Sequence, residues 1–235
     1  MLSAGERPQP TINGAAKDPS VVQAASASAS ASPESASMWQ TTRSAQVPIQ
    51  HIWVITGPAG SGKSTVGRGL QEELNLPFLE GDDFHPSANK QKMLNGTPLN
   101  DEDRWDWLIS LRKAAIEILT PSELDRTSTR APNGVIVACS ALKQKYRDVM
   151  RVAAYGSPFV QIHFIYLRLG ENVLVERVRQ RDAHYMKSGM IHSQLQVLEE
   201  PQGEWDALTV NVEGSPEDVQ ERVSKLVAGK LAEYL

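Results

Sequence analysis

Gly57-Pro58-Ala59-Gly60-Ser61-Gly62-Lys63-Ser64 is the stretch on which the reading of this chain turns. It fits the pattern G-x-x-x-x-G-K-[ST], in which glycines let backbone N–H groups turn inward around phosphate oxygens and the next helix adds partial positive charge. In that pattern Lys63 reaches the outer phosphates and the Ser64 hydroxyl ligates magnesium, so all eight residues and the following Thr65 are candidates for binding a nucleoside triphosphate. The flanks support the match. His51-Ile52-Trp53-Val54-Ile55-Thr56 is a short apolar, β-favouring run, and Val66, Leu70 and Leu74 recur at helical spacing downstream. A glycine-rich turn that binds nothing would have no reason to sit between such a strand and such a helix.

Outward from the loop, composition sets the limits. Of the 235 residues, the first part contains the tract Ala24-Ala25-Ser26-Ala27-Ser28-Ala29-Ser30-Ala31-Ser32-Pro33 and is poor in large apolar residues until about Val47. Residues 1–48 therefore read as a disordered low-complexity tail, and 49–235 as one domain of roughly 185 residues, enough for a buried core. The tail has no apolar signal core, and Arg7, Lys17 and Arg43 against Glu6, Asp18 and Glu34 are the wrong balance for a mitochondrial presequence. A net charge of −4 argues against a nucleic-acid surface, and no apolar stretch approaches the roughly 20 residues a membrane span needs. The lone Cys139 excludes an intramolecular disulfide framework and suits a reducing, cytoplasmic setting.

Strand-like and helix-like segments alternate through the domain. Strands are expected at 51–56, 76–80, 134–139, 159–167 and 207–212, and helices at 63–74, 102–119, 143–154, 171–181 and from 216 onward. Val135-Ile136-Val137-Ala138-Cys139 is apolar throughout, as in a parallel strand covered on both faces. The fold class is α/β, and such sheets bind ligands at the carboxyl ends of their strands. Thr120 to Gly134, rich in Pro, Ser and Thr, reads as a surface loop.

A phosphate loop serves switches, motors and kinases alike, so the position of the acids discriminates. Many motor ATPases end the third strand on a magnesium-holding acid, whereas here Cys139 runs into Ser140-Ala141-Leu142. The acids follow the second strand instead: Glu80, Asp82 and Asp83, with His85. A carboxylate there accepts the proton of a substrate hydroxyl and aligns its oxygen for in-line attack on the γ-phosphate, while a neighbour orders water around magnesium. Guanine-nucleotide switches carry D-x-x-G and N-K-x-D segments. No Asp here is followed by Gly three positions on, and Asn89-Lys90-Gln91-Lys92 ends in Lys.

The wider pattern resembles the bacterial and eukaryotic gluconokinases. Leu79-Glu80-Gly81-Asp82-Asp83-Phe84-His85-Pro86, Asn89, Lys92-Met93, Gly96, Pro98 through Arg104 and Trp107-Leu108 look like that family's substrate side. Ala138 through Lys143, Tyr146-Arg147-Asp148, Phe164 through Leu167 and Glu199-Glu200-Pro201 continue it in order. The resemblance implies transfer of phosphate from ATP, with Mg2+, to D-gluconate, giving 6-phosphogluconate for the pentose phosphate route. It implies the P-loop NTPase fold of the shikimate and nucleoside-monophosphate kinases, with a five-stranded parallel sheet in the order two, three, one, four, five, helices on both faces and a small lid. A homodimer is also implied. Relatives often show Asp-x-Asp where this chain has Glu80-Gly81-Asp82, which makes Glu80 a less secure ligand, through water, of magnesium.

Roles follow from the chemistry of gluconate, a carboxylate with a run of hydroxyls. Lys63, Asp82 and Arg181 are the expected catalytic groups. Arg104 either binds the carboxylate in a bidentate fork or pairs with Asp101 or Asp103. His85 either hydrogen-bonds hydroxyls or caps a turn, and Lys143, Tyr146 and Arg147 either line the pocket or form a solvated helix face. Arg177, Arg179 and Arg181 precede the polar segment Asp182 to Gly189, read as a nucleotide lid; Arg177 and Arg181, four apart, share a face. Two alternatives stay open: a kinase for another small polar acid such as shikimate, and a catalytically silent nucleotide-binding regulator.

Overall fold

Ile52, Trp53, Val54 and Ile55 are apolar on both sides of their strand because that strand runs through the middle of the sheet. The computed structural model describes residues 48–120, 131–180 and 188–234, without the side chains of 178–180 and 188–190. The described elements belong to one unit, Gln46–Leu235. In chain order they are β1 (Gln50–Thr56), α1 (Lys63–Leu74), β2 (Phe78–Glu80), a 3-10 turn (Gly81–Phe84), α2 (Ser87–Leu94), α3 (Asp101–Leu119), β3 (Gly134–Ala138), α4 (Gln144–Tyr155), β4 (Val160–Arg168), α5 (Glu171–Gln180), α6 (Ser188–Gln196), β5 (Ala207–Asn211) and α7 (Pro216–Ala232). The tail, residues 121–130 of the expected surface loop, Arg181 and most of the expected lid lie outside the described residues.

The sheet has five parallel strands in the order β2-β3-β1-β4-β5, as the resemblance implied. Alternation along the strands divides the core into two layers. Ile52, Val54, Val135 and Val137 pack beneath α3 and α4, against Trp107, Leu111, Tyr146 and Met150. Trp53, Ile55, Ile136 and Ile165 pack beneath α1 and α7, where Val219, Val223 and Val227 repeat every fourth residue. Helices on both faces explain why these strands read as continuous apolar runs.

Helix starts are chemically marked. Asn100 and Asp103 form a reciprocal capping box on α3; Ser215 and Asp218 do the same on α7, with Pro216 in its first turn. Two described helices went unread in the sequence. α2 buries only Asn89, so its apolar periodicity is nearly absent. α6 contains Gly189 in its first turn, where a glycine suggested a loop.

Candidate active site

At the carboxyl edge of β1 the chain must reverse tightly into α1. Gly57, Gly60 and Gly62 take φ of 146°, 81° and 97°, values open to glycine and strained for other residues. The Thr56 hydroxyl donates to the Ser140 carbonyl at 2.5 Å, tying the loop to the end of β3. Lys63 Nζ folds back onto the loop, donating to the carbonyls of Gly57 (3.0 Å) and Pro58 (3.1 Å), so its ammonium sits where the loop closes. Ser64 and Thr65 are exposed at the start of α1.

β2 delivers the acids to the same edge. Gly81 admits no side chain, because a Cβ there would run into the carbonyl oxygen of Ala138 on β3. Glu80, half-buried, accepts a hydrogen bond from the Ser64 hydroxyl; burial pushes its carboxyl up, while that bond and nearby Lys63 pull it down. Asp82 is 73 % exposed and open to a ligand. His85 stacks on Trp107, with centroids 4.2 Å apart and planes 17° apart, and Trp107 Nε1 donates to the Gly81 carbonyl at 2.6 Å. Burial holds the His85 imidazole down at about 4, against the pull of Asp82, so the ring is neutral at pH 7. Its Nδ1 is buried without a partner among the described residues.

α3 brings Arg104. Its guanidinium donates to the Leu99 carbonyl and to that of Asn100 (3.1 Å) and lies 5.5 Å above the Tyr146 ring. Neither Asp101 nor Asp103 pairs with it: Lys92 binds Asp103 at 2.6 Å, and Lys143 (3.0 Å), Lys145 and Tyr146 converge on Asp101. Those donors hold the Asp101 carboxyl far below the usual range. The Arg104 guanidinium is thus held by backbone carbonyls rather than by either neighbouring carboxylate.

Arg147 requires correction. Its side chain is 1 % exposed, pairs with Glu204 at 2.5 Å and donates to the Ala141 carbonyl at 3.0 Å. Beside it Arg151 binds Glu204 and Asp206. This network joins α4 to the approach to β5, and Arg147 is a structural residue rather than a substrate ligand. Lys143 remains on a cavity wall, although its ammonium is shared with Asp101.

Two cavities meet at the phosphate loop. One, of about 290 Å³, is bordered by Gly60, Gly62, Thr65, Arg177, Gly214 and Pro216. Arg177 donates to the Val212 carbonyl at 2.9 Å, which fixes it there. On the other side a small cavity of about 70 Å³ is lined by Lys63, Asp82, His85, Arg104, Trp107 and Gln194. It opens into a wider one of about 570 Å³ that shares Arg104 and Gln194 and adds Asn100, Asp101 and Lys143. The sequence reading missed Gln194 and the pinning role of Trp107, since neither belongs to a motif with a local mechanism.

A parallel sheet in this order, a lysine-bearing phosphate loop and an acid turn on the next strand edge define a P-loop kinase fold and site. The family described as AAA domain matches residues 52–201. The chain is 41 % identical to a probable gluconokinase of Schizosaccharomyces pombe over 77 % of its own length and 89 % of that protein's. It is 37 % identical to the thermoresistant gluconokinase of Escherichia coli K12, over 72 % and 89 %. The crystal structure of a gluconokinase from Sinorhizobium meliloti 1021 matches with a TM-score of 0.61 at 34 % identity, covering 78 % of this chain and 98 % of that one. The chain belongs to the gluconokinase family.

Proposed function

We propose that this protein phosphorylates D-gluconate with ATP to give 6-phospho-D-gluconate, and that the presence of a glycine-lined cavity and an acid- and arginine-bearing cavity on either side of one phosphate loop is the observation that carries this reading. The triphosphate lies along the loop amides, with the nucleoside toward Gly214 and Pro216. Lys63 exchanges its two carbonyl partners for the outer phosphates. Arg177 supports the nucleotide side, and Arg181, assigned from its spacing to Arg177, brings cationic charge to the transferring group.

On the acceptor side Arg104 binds the gluconate carboxylate, with Lys143 nearby, and neutral His85 hydrogen-bonds a hydroxyl. Asp82 takes the proton of the attacking hydroxyl as its oxygen bonds to the γ-phosphorus and the bridge to the β-phosphate breaks, ADP leaving with the electron pair. The residues present fit a magnesium ion: Ser64 is exposed and its side chain is hydrogen-bonded to Glu80, so the hydroxyl would serve as a direct partner and the carboxylate as a water-mediated one. When bound, the ion neutralises phosphate charge. Among the described residues no cluster of His, Cys, Asp or Glu forms a metal cage, in keeping with an ion held chiefly by the nucleotide. A cytoplasmic homodimer supplying the pentose phosphate route completes the proposal; among the described residues no helix is long and apolar enough to cross a membrane.

The test is an ADP-release assay over gluconate, shikimate, other sugar acids and nucleoside monophosphates. Gluconate should show the highest kcat/KM. Preference for another acid, or no turnover of any, overturns the assignment.

A further inference from the structure

α6 is fastened to the phosphate loop by a hydrogen bond between residues 135 positions apart: the Ala59 N–H donates to Gln194 Oε1 at 2.7 Å. Ala59 is 4 % exposed and borders the acceptor cavity rather than the nucleotide cavity. The oxygen of this side-chain amide is therefore committed to the loop. Its nitrogen is not, for among the described residues nothing accepts from Nε2.

Gln194 also borders both acceptor cavities. Lys63, Asp82 and His85 lie in the inner one with it, and Asn100, Asp101 and Lys143 in the outer. Asp82, Arg104 and Gln194 line the same inner cavity, so an acceptor held between Asp82 and Arg104 occupies a space that this amide borders. A hydroxylated acid offers hydrogen-bond-accepting oxygens along its whole length, and a planar amide whose carbonyl is already engaged offers them a fixed donor.

We propose that Gln194 is a positioning and specificity-determining residue: Oε1 seats α6 on the phosphate loop, and Nε2 donates to an oxygen of the acceptor between its reacting hydroxyl and its carboxylate. One side chain then ties recognition of the acceptor to the geometry of the loop that carries the phosphate. The choice of Gln over Glu follows from the same geometry. A glutamate would keep the bond from Ala59 but lose the donor and set a negative charge beside an anionic acceptor.

The inference rests on the sugar-acid reading above, and Gln194→Glu and Gln194→Met separate the two. Wild-type turnover across the acid panel tests the substrate alone. With the preferred acid, Gln194→Glu should raise its KM by roughly tenfold or more and weaken its binding, measured calorimetrically with a non-hydrolysable ATP analogue, while KM for ATP stays within about twofold. Gln194→Met, which loses both ends of the amide, should raise the acid KM and also lower kcat. An unchanged acid KM and unchanged calorimetric affinity in Gln194→Glu overturn the proposal. So does a pair of variants altered only in melting temperature, which would make Gln194 merely structural. If the preferred acid is not gluconate, the substrate reading falls, and the same variants on that acid still decide the role of Gln194.

Discussion

On the nucleotide side of the phosphate loop the cavity wall is largely backbone and glycine: Gly60, Gly62 and Gly214 all take positive φ and present peptide groups to the space between α1 and α7. On the acceptor side the wall includes long side chains from separate elements, each held by a backbone partner. Trp107 is pinned to Gly81, Arg104 to Leu99 and Asn100, and Gln194 to Ala59. In the proposed function the first side recognises a group common to all nucleoside triphosphates and needs only local turn chemistry. The second must distinguish one small acid from another, which takes side chains whose positions the tertiary structure sets.

The largest effect should come where the two sides meet. Lys63→Ala removes the ammonium proposed to neutralise the outer phosphates, and kcat should fall by roughly 10²- to 10³-fold with the fold retained. A folded variant with near wild-type turnover would remove the loop from the chemistry.

Next comes the acid turn. With Asp82 as the proposed proton acceptor, Asp82→Asn should lower kcat by roughly 10²-fold with KM for ATP little changed. Glu80→Gln should instead raise the magnesium requirement and recover in excess metal. A dead Glu80→Gln beside a normal Asp82→Asn would reverse the two roles.

Two arginines sharpen the contrast between ligand and scaffold. Arg104→Lys loses the fork and should raise KM for gluconate by about tenfold with the melting temperature held. Arg147→Met leaves Glu204 with half its counter-charge and the buried Ala141 carbonyl without its guanidinium donor. It should cost about 3 kcal/mol, a drop of roughly 6–12 °C in Tm, with KM for gluconate within about twofold. Swapped outcomes would return Arg147 to the substrate pocket.

A smaller effect lies behind the nucleotide side, at the amino edge of the sheet. His163 stacks on Trp53 at 4.4 Å and shares a hydrogen bond of 3.1 Å with His51. Burial, with His51 and Lys230 adding to it, holds His163 down at about 3. In the unfolded chain it titrates near its ordinary value of about 6.5, so between these values the unfolded chain binds the proton and the folded one does not. Stability is full above pH ~6.5 and declines as pH falls toward 3, by about 2 kcal/mol at pH 5 from this residue, with His85 adding a similar loss. Denaturant unfolding at pH 7 and pH 5 should show that loss shrinking in His163→Phe. An equal loss in both proteins would place the acid sensitivity elsewhere.

The smallest effect is expected from residues 1–45. Their removal should leave Tm and kcat essentially unchanged, since that segment offers few large apolar residues to bury. A fall of several degrees would show that it packs.

What could be read without coordinates was what depends on neighbours in sequence. The loop from Gly57 to Ser64 announces itself because its function is carried by glycine dihedrals and by a lysine and a serine at fixed offsets. β1 and β3 announce themselves because helices bury both their faces. The acids at 80 and 82 were legible as the end of a strand on the same sheet edge, and the strand order came with the family resemblance. Arg104 and Arg147 looked alike, as basic residues near the start of a helix after an acidic or polar turn. Only the fold separates them, because the carboxylate that claims Arg147 lies 57 positions away, whereas the acids adjacent to Arg104 are claimed by lysines. Gln194 had no signal of its own, its partner being 135 residues upstream. Backbone conformation and strand burial are short-range consequences of composition and period. Which side chain stays free for a ligand depends on which partners have already bound it, and that is decided only when the chain folds.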